Sequence, residues 1–294
     1  MKFNLNKQDK LELEELIEAK NINIAIADML LECSRYECIT DPSILRDSGN
    51  LKETYLEELY DFLELDMEND ENIELADSYI KPSLDILNIN DYISNPYNKN
   101  IRANKNQNGN YSLNVEHYAP YQLFPSDEIE VLEDDYYHEI SKVGLFEKKF
   151  NFLSLLDKDT IWMCITPNEI NTMKHAIQEA HGNVVTFGLG LGYFAYMVSE
   201  KENVNHVTII EKDRKVIDLF MFYIYPQFKN KEKIQIVYVD AFDYLKLDDM
   251  QAFDYAFVDL WHNPEDGLPL YMKFKKEESR FKYKFDYWFF YKIF

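Results

Sequence analysis

Three glycines in a five-residue run, Gly188-Leu189-Gly190-Leu191-Gly192, stand out in a 294-residue chain that holds only 8 glycines. Such a run lets the main chain turn tightly and present N–H groups to a ligand at a helix N-terminus. Carboxylates follow at suggestive distances. Glu211 lies nineteen residues after Gly192, where an acid can accept hydrogen bonds from both hydroxyls of a ribose. Asp240, beside Ala241, ends one later apolar run, and Asp259 ends the next. A dinucleotide fingerprint starting at Gly188 needs a small residue at position 193, where Tyr193 stands. Starting at Gly190, the set Gly190, Gly192 and Ala195 fits G-x-G-x-x-A, so the loop alone leaves NAD open. His262, close to Asp259 and Trp261, carries a ring that titrates near neutrality. It can serve as a base toward a substrate amine or hydroxyl, and it reads equally as a loop histidine satisfied by a neighbour.

Other chemistries find little support. His117, His138, His175, His181 and His206 show no metal spacing, and Cys33, Cys38 and Cys164 form no C-x-x-C pair, so no zinc site is expected. The odd cysteine count fits a reducing cytoplasm, each thiol reading as a small buried hydrophobe. No serine sits in a nucleophile elbow and there is no P-loop. The N-terminus, Met1-Lys2-Phe3-Asn4-Leu5-Asn6-Lys7, lacks the apolar core of a signal peptide, and the uncharged stretch Ala180–Ser199 is interrupted by glycines, so no membrane association is expected. Charge is unevenly spread. Residues 1–140 hold 31 acidic and 11 basic side chains, net −20, whereas residues 141–294 hold 22 and 20, net −2. A front half of that sign repels phosphate backbones, which argues against nucleic acid as a partner there.

The elements that must position these residues can be read from periodicity. From Lys7 to about Asp91, apolar residues recur at helical intervals: Leu13, Leu16 and Ile17, then Leu51, Tyr55, Leu59, Phe62 and Leu63. Asn and Lys dominate from Ile93 to Asn110, which predicts a linker or exposed loop. No internal repeat is visible. Past the acidic run Asp127–Asp135 the period changes: Phe150 to Leu155 and Ile161 to Ile165 predict a β-hairpin, and Thr166-Pro167-Asn168-Glu169 is a capping box that opens a helix to about His181. Then come apolar runs Val184–Phe187, Val207–Ile210, Ile234–Val239 and Tyr255–Val258. Helical patterns separate them, at Tyr193–Lys201, Arg214–Tyr225 and Phe242–Leu247. That alternation specifies βαβ units and a parallel sheet whose ligands bind beyond the carboxyl ends of the strands.

Gly188, Leu189, Gly190 and Gly192, then Glu211, then Asp240 with Ala241, then Asp259 resemble the class I S-adenosylmethionine-dependent methyltransferases over about Thr166 to Tyr271. The resemblance implies that the glycine loop holds the methionine part of S-adenosylmethionine, Glu211 the ribose, and Asp240 and Ala241 the adenine. It also implies that Asp259 faces the methyl group and its acceptor. Asp259-Leu260-Trp261-His262-Asn263-Pro264 lacks the Pro-Pro-aromatic pattern of the amino-methylating branch, so nucleic-acid base methylation has no support. A second resemblance is to spermidine synthases, which also place a β-hairpin before the capped helix and glycine loop and use an Asp after the fourth strand. Only 35 residues follow Asp259, enough for a helix over Leu268–Glu278 and a fifth strand within Phe285–Phe294, so the sheet ends early.

The resulting expectation is an acidic, mainly helical domain over 1–135 and an α/β, doubly wound, mostly parallel Rossmann-like domain over 136–294, preceded by a β-hairpin. Its implied activity is S-adenosylmethionine-dependent methyl transfer to a small-molecule, cationic or protein acceptor, with Asp259 and His262 as the catalytic pair and Trp261 covering the substrate. Two rivals stand beside it: aminopropyl transfer of the spermidine-synthase type, and a non-catalytic module whose acidic domain recruits a partner. The aromatic run Tyr283–Phe294 reads as a core strand or as a surface for a protein partner or second subunit.

Overall fold

The computed structural model describes residues 6–33, 42–46, 49–103, 105–127, 129–132, 138–261 and 264–288. His262, Cys38, the end of the acidic run at 133–135 and the final residues 289–294 lie outside them. The chain divides into two compact units, each built from two stretches: 1–89 with 118–150, and 90–117 with 151–294. A single boundary near 135 is therefore replaced by three crossings between units.

The first unit is mainly helical, with helices Lys7–Cys33, Pro42–Arg46, Leu51–Phe62 and Asp70–Leu75, the last running on through a wider turn at Ala76–Ile80 to Lys81–Ser83. The helical pattern does not persist to Asp91. Leu84–Ile86 is a strand that pairs in parallel with Val143–Leu145, against which Phe124–Pro125 lies antiparallel. Leu30, Tyr55, Leu56, Leu59, Ile80 and Leu145 are among the side chains of its core. Tyr55 and Leu59 are buried as their spacing predicts, but Leu13, Leu16 and Ile17 are exposed. The first helix instead buries Asn23, Leu30 and Cys33. Helical periodicity locates an apolar stripe; only the neighbouring elements decide whether it is covered.

The second unit holds a five-stranded, all-parallel sheet. Its strands are β1 (Gly182–Phe187), β2 (Val204–Glu211), β3 (Ile234–Tyr238), β4 (Tyr255–Val258) and β5 (Lys284–Tyr287), in the order β3-β2-β1-β4-β5. The order reverses direction between β1 and β4, which is where an open parallel sheet leaves a crevice for ligands. Helices α1 (Tyr193–Ser199), α2 (Arg214–Leu219), α3 (Ala241–Tyr244) and α4 (Pro264–Glu278) connect the strands. The predicted helix over Arg214–Tyr225 is helical throughout, running as α2 to Leu219 and widening into a π turn at Phe220–Ile224, and the capped helix splits at Met173 into Pro167–Thr172 and Lys174–Glu179. Thr166 caps the first of these pieces through its hydroxyl. Phe285 is buried on β5, and Tyr283, Tyr287 and Trp288 pack against the same core, so the described part of the aromatic run belongs to the sheet.

A second sheet of four strands, which apart from the terminal residues Tyr118 and Phe150 belongs to this unit, combines Asn106–Asn108, Tyr111–Tyr118, Phe150–Asp157 and Thr160–Cys164. The predicted hairpin is its second half, with Ser154 opposite Cys164. The predicted linker supplies its first strand and more. Tyr97 is buried and donates its hydroxyl to the carbonyl of Leu191 in the glycine loop at 2.5 Å, while Asn95 and Asn100 donate to the hydroxyls of Tyr193 and Tyr196 on α1 at 2.9 and 2.8 Å. Ile93 to Asn110 is thus a buttress of the glycine loop. Its polar composition hid this, because the asparagines serve as hydrogen-bond partners for α1.

Candidate functional site

Strand register aligns the candidate residues. Phe187 pairs with Ile210 on one side and Val258 on the other, and Glu211 pairs with Tyr238. The next residues therefore emerge at one edge of the sheet: Gly188 after β1, Glu211 at the end of β2, Asp240 after β3 and Asp259 after β4.

Gly188 has φ +103°, and a Cβ there would lie 2.0 Å from the carbonyl oxygen of Asp259. The β1 and β4 chains approach so closely at the switch point that no side chain fits, which gives this glycine a packing reason independent of any ligand. Gly190 lies under the Met163 side chain, whose sulfur and methyl would stand 2.7 Å from a Cβ. Gly192 opens α1 in the left-handed region, and its vacant side is filled by the ring of Phe220. Gly188, Leu189 and Gly190 line the cavities described below; Gly192 is not among their lining residues, and packing accounts for it.

Glu211 is half-buried. One carboxylate oxygen accepts the N–H of Leu189 at 3.1 Å and the other the N–H of Asp213 at 2.7 Å, so this side chain ties the glycine loop to the start of α2. Burial raises its pKa, an effect partly offset by the N–H groups of Asp213, Leu189 and Lys212. Asp259, also half-buried, has its pKa pushed up to about 7, first by burial and second by the nearby Glu211 carboxylate. Asp240 is exposed at the rim and uses one oxygen to cap α3, accepting the N–H of Phe242 at 2.8 Å. Ala241 beside it is buried.

These residues share a cavity of about 300 Å³. Its lining includes Gly188, Glu211, Asp213, Asp240, Ala241 and Asp259, with Lys212 the one basic side chain among the described lining residues. A smaller hollow of about 40 Å³ continues beyond the loop, where Glu169, Thr186 and Asp259 meet Gly188, Gly190 and Leu191. Trp261 lines the larger cavity as fixed wall: it is buried, stacks on Tyr287 with ring centroids 6.3 Å apart, and donates its indole N–H to the carbonyl of Trp288 at 3.0 Å. Cys164, in the smaller hollow, is half-buried with its thiol pushed up to about 12 by burial, which keeps it neutral and unreactive at physiological pH. Among the described residues no group of His, Cys, Asp and Glu is arranged to hold a metal ion, and no helix is long and apolar enough to cross a membrane.

Periodicity did not reveal three further lining residues. Tyr111, Trp162 and Met163 reach the larger cavity from the four-stranded sheet. A signal existed for Trp162 and Met163 in the hairpin placed just before the capped helix; for Tyr111 there was none, since its strand follows the stretch that reads as a loop.

No protein-family model matches the chain, and no curated protein sequence matches it. Solved structures resemble it in part. One is a spermidine synthase from Thermotoga maritima, with 16% identity, a TM-score of 0.30, and coverage of 40% of this chain and 46% of that one. A spermidine synthase in complex with the transition state analogue AdoDATO gives 15% identity and the same TM-score of 0.30, over 40% of this chain and 46% of the other. A putative O-methyltransferase from Klebsiella pneumoniae gives 17% identity and 0.27, over 34% and 43%. The chain thus spans less than half the length of each. Strand order and the site's own geometry carry the interpretation.

Proposed function

We propose that this protein binds S-adenosylmethionine and transfers its methyl group to a small-molecule or protein acceptor that is itself neutral or cationic. The observation that carries the reading is the convergence of Gly188, Glu211, Asp240 and Asp259 at the switch point of a β3-β2-β1-β4-β5 sheet, around one cavity of about 300 Å³. Such a volume lies at the lower end of small-ligand sites. The residues suit the ligand chemically. Glu211 would accept from ribose hydroxyls through the lone pairs that its two main-chain contacts leave, and its neighbours Asp213 and Asp259 supply negative potential for a sulfonium.

When bound, S-adenosylmethionine supplies an electrophilic methyl on a thioether leaving group. The protein's share is proximity and orientation. The glycine loop would hold the methionine chain; Glu211, through the N–H of Leu189, and Tyr97, through the carbonyl of Leu191, fix that loop. Asp259, poised near neutrality, orients the acceptor and takes its proton when the acceptor must lose one. His262 is a second candidate for that proton and lies outside the described residues.

Aminopropyl transfer is the second reading, favoured by one observation. The described residues lining the smaller hollow include Glu169 and Asp259 but no Lys or Arg, so no cationic side chain there meets the carboxylate of a methionine chain. A decarboxylated chain ending in an ammonium suits those acids better. Calorimetric titration with S-adenosylmethionine and its decarboxylated form separates the readings: tighter binding of the first is expected, and preference for the second overturns methyl transfer. A thermal-shift panel that adds S-adenosylhomocysteine and NAD tests both against a non-catalytic module. If no adenosyl ligand shifts the melting temperature and Gly190→Asp leaves biological function intact, neither enzyme reading stands.

A further inference from the structure

Trp162 is a large apolar side chain left 39% exposed on Thr160–Cys164, the outer strand of the four-stranded sheet, where it lines a cavity otherwise rich in carboxylates. Its ring stands edge-on to Tyr111, with centroids 6.3 Å apart and planes at 65°. Burial and the nearby Asp213, Asp157 and Glu211 carboxylates push the Tyr111 hydroxyl up to about 12, which marks Tyr111 as a neighbour of these acids. Asp213 is the residue whose N–H binds Glu211 at 2.7 Å, and whose other contact is to the N–H of Lys215 at 2.8 Å. The same corner is pinned a second time. Asn108, at the turn between the first two strands of the four-stranded sheet, donates to the carbonyl of Lys215 at 3.3 Å, and the Lys215 side chain packs over Gly109.

We infer that Trp162, backed by Tyr111, is the outer wall against which the nucleoside part of the ligand packs, so that the four-stranded sheet completes a binding site begun by the parallel sheet. This deepens the adenosyl-ligand reading and rests on it. The warrant is geometric and energetic. Glu211 marks where a ribose would sit, Asp213 is hydrogen-bonded to it, and the contact of Asn108 with Lys215 ties the four-stranded sheet, with its aromatic pair, to the same corner. A flat base or sugar face gains by covering exposed indole, whereas carboxylates gain nothing from it. Trp162 is therefore a ligand-contacting residue, and Tyr111, which backs it, is the positioning residue.

The test uses the full-length protein and S-adenosylhomocysteine, with adenosine and NAD as further nucleoside probes. Calorimetry is expected to give a dissociation constant raised about tenfold or more in Trp162→Ala, the size of loss seen when an aromatic partner of a base is removed. Trp162→Phe should restore most of the affinity, and Tyr111→Ala, which removes the ring that backs Trp162, should weaken binding about threefold. Ligand binding should quench tryptophan emission in the wild type, and Trp162→Phe should bind but lose the share of that quenching due to Trp162, the remainder coming from Trp261, which lines the same cavity. Should Trp162→Ala fail to fold, the emission of Trp162→Phe decides. Equal affinity in Trp162→Ala, or unchanged quenching in Trp162→Phe, overturns the inference. Binding of NAD alone, with the same dependence on Trp162, would keep the wall and remove the adenosyl-transfer reading; a wild type that binds none of the three removes both.

Discussion

Glu53, Asp70 and Glu71 in the first unit and Glu211 and Asp259 in the second are the same chemical groups in opposite settings. The first three stand exposed on helix surfaces, Asp70 and Glu71 in the opening turn of a helix, where a negative charge opposes the helix dipole and contributes about 0.3–1 kcal/mol. The last two are half-buried at strand ends, one bound to two main-chain N–H groups and the other held near neutrality by burial. Most of the chain's negative charge belongs to residues 1–140, net −20, yet among the described residues the carboxylates with shifted chemistry lie in the nearly neutral remainder. Charge density and chemical capacity are therefore different things here. Solvent screens the first, and desolvation creates the second.

Substituting glycine in each unit probes that contrast most sharply. Gly188→Ala drives a Cβ into the Asp259 carbonyl, at 2.0 Å, in a backbone conformation that side chains rarely adopt, and is expected to cost more than about 3 kcal/mol. Gly49→Ala, with nothing within 4 Å, should stay within about 0.5 kcal/mol. Urea unfolding followed by circular dichroism measures both, and equal losses would break the comparison.

Neutralising one acid in each unit is the next step. Glu211→Gln presents an amide N–H to a main-chain donor, leaving one buried N–H unpaired, so stability should fall by about 1–3 kcal/mol. Affinity for S-adenosylhomocysteine should weaken by roughly tenfold as a ribose acceptor is lost. Glu53→Gln on the exposed helix should change neither by more than about 0.5 kcal/mol.

Asp259→Asn should move stability the other way, with a pH signature. The unfolded chain releases this proton near 3.8 and the folded protein near 7, so the folded state holds more protons between those values, and stability declines as pH rises across that window. Removing the charge should raise the melting temperature by roughly 2–6 °C at pH 8 and leave it nearly unchanged at pH 3.5. Transfer activity should be lost. Affinity for a cationic ligand should rise in the wild type as pH passes through 7 and should not do so in the variant. A melting temperature unchanged at pH 8 would place Asp259 with the solvated acids of the first unit.

Ile17→Lys is expected to have the smallest effect, within about 0.5 kcal/mol, because this side chain is 52% exposed on the first helix. Leu30→Ala on the same helix, fully buried, should cost about 2–5 kcal/mol. A large loss at Ile17 would mean that the exposed stripe is covered in solution.

Much of the parallel sheet was legible beforehand. The apolar runs at Val184, Val207, Ile234 and Tyr255 are strands, the glycine run follows the first of them, and Thr166 is a helix cap. What escaped was the role of residues 93–110 and the exposure of Leu13, Leu16 and Ile17. In the first case the deciding contacts are distant in sequence, since Tyr97 reaches Leu191 and Asn100 reaches Tyr196; in the second, an apolar stripe of the first helix is left exposed. A polar stretch reads as loop whenever its asparagines are assumed to face water, and an amphipathic stretch reads as buried whenever a neighbour is assumed.

The sequence by itself therefore determined the local geometry. Periods of two and 3.6, glycine where the chain must turn, and an acid at each of three strand ends follow from backbone sterics and from the alternation of apolar and polar residues. The tertiary structure alone decided what those pieces do together. Strand register brought Gly188, Glu211, Asp240 and Asp259 to one edge, and close packing of β1 on β4 excluded a side chain at Gly188. Desolvation then gave Asp259 a proton affinity that its residue type does not have, and the four-stranded sheet brought Trp162 and Tyr111 to the same cavity. Desolvation and long-range contact depend on what surrounds a residue in space, and a linear spacing does not encode that.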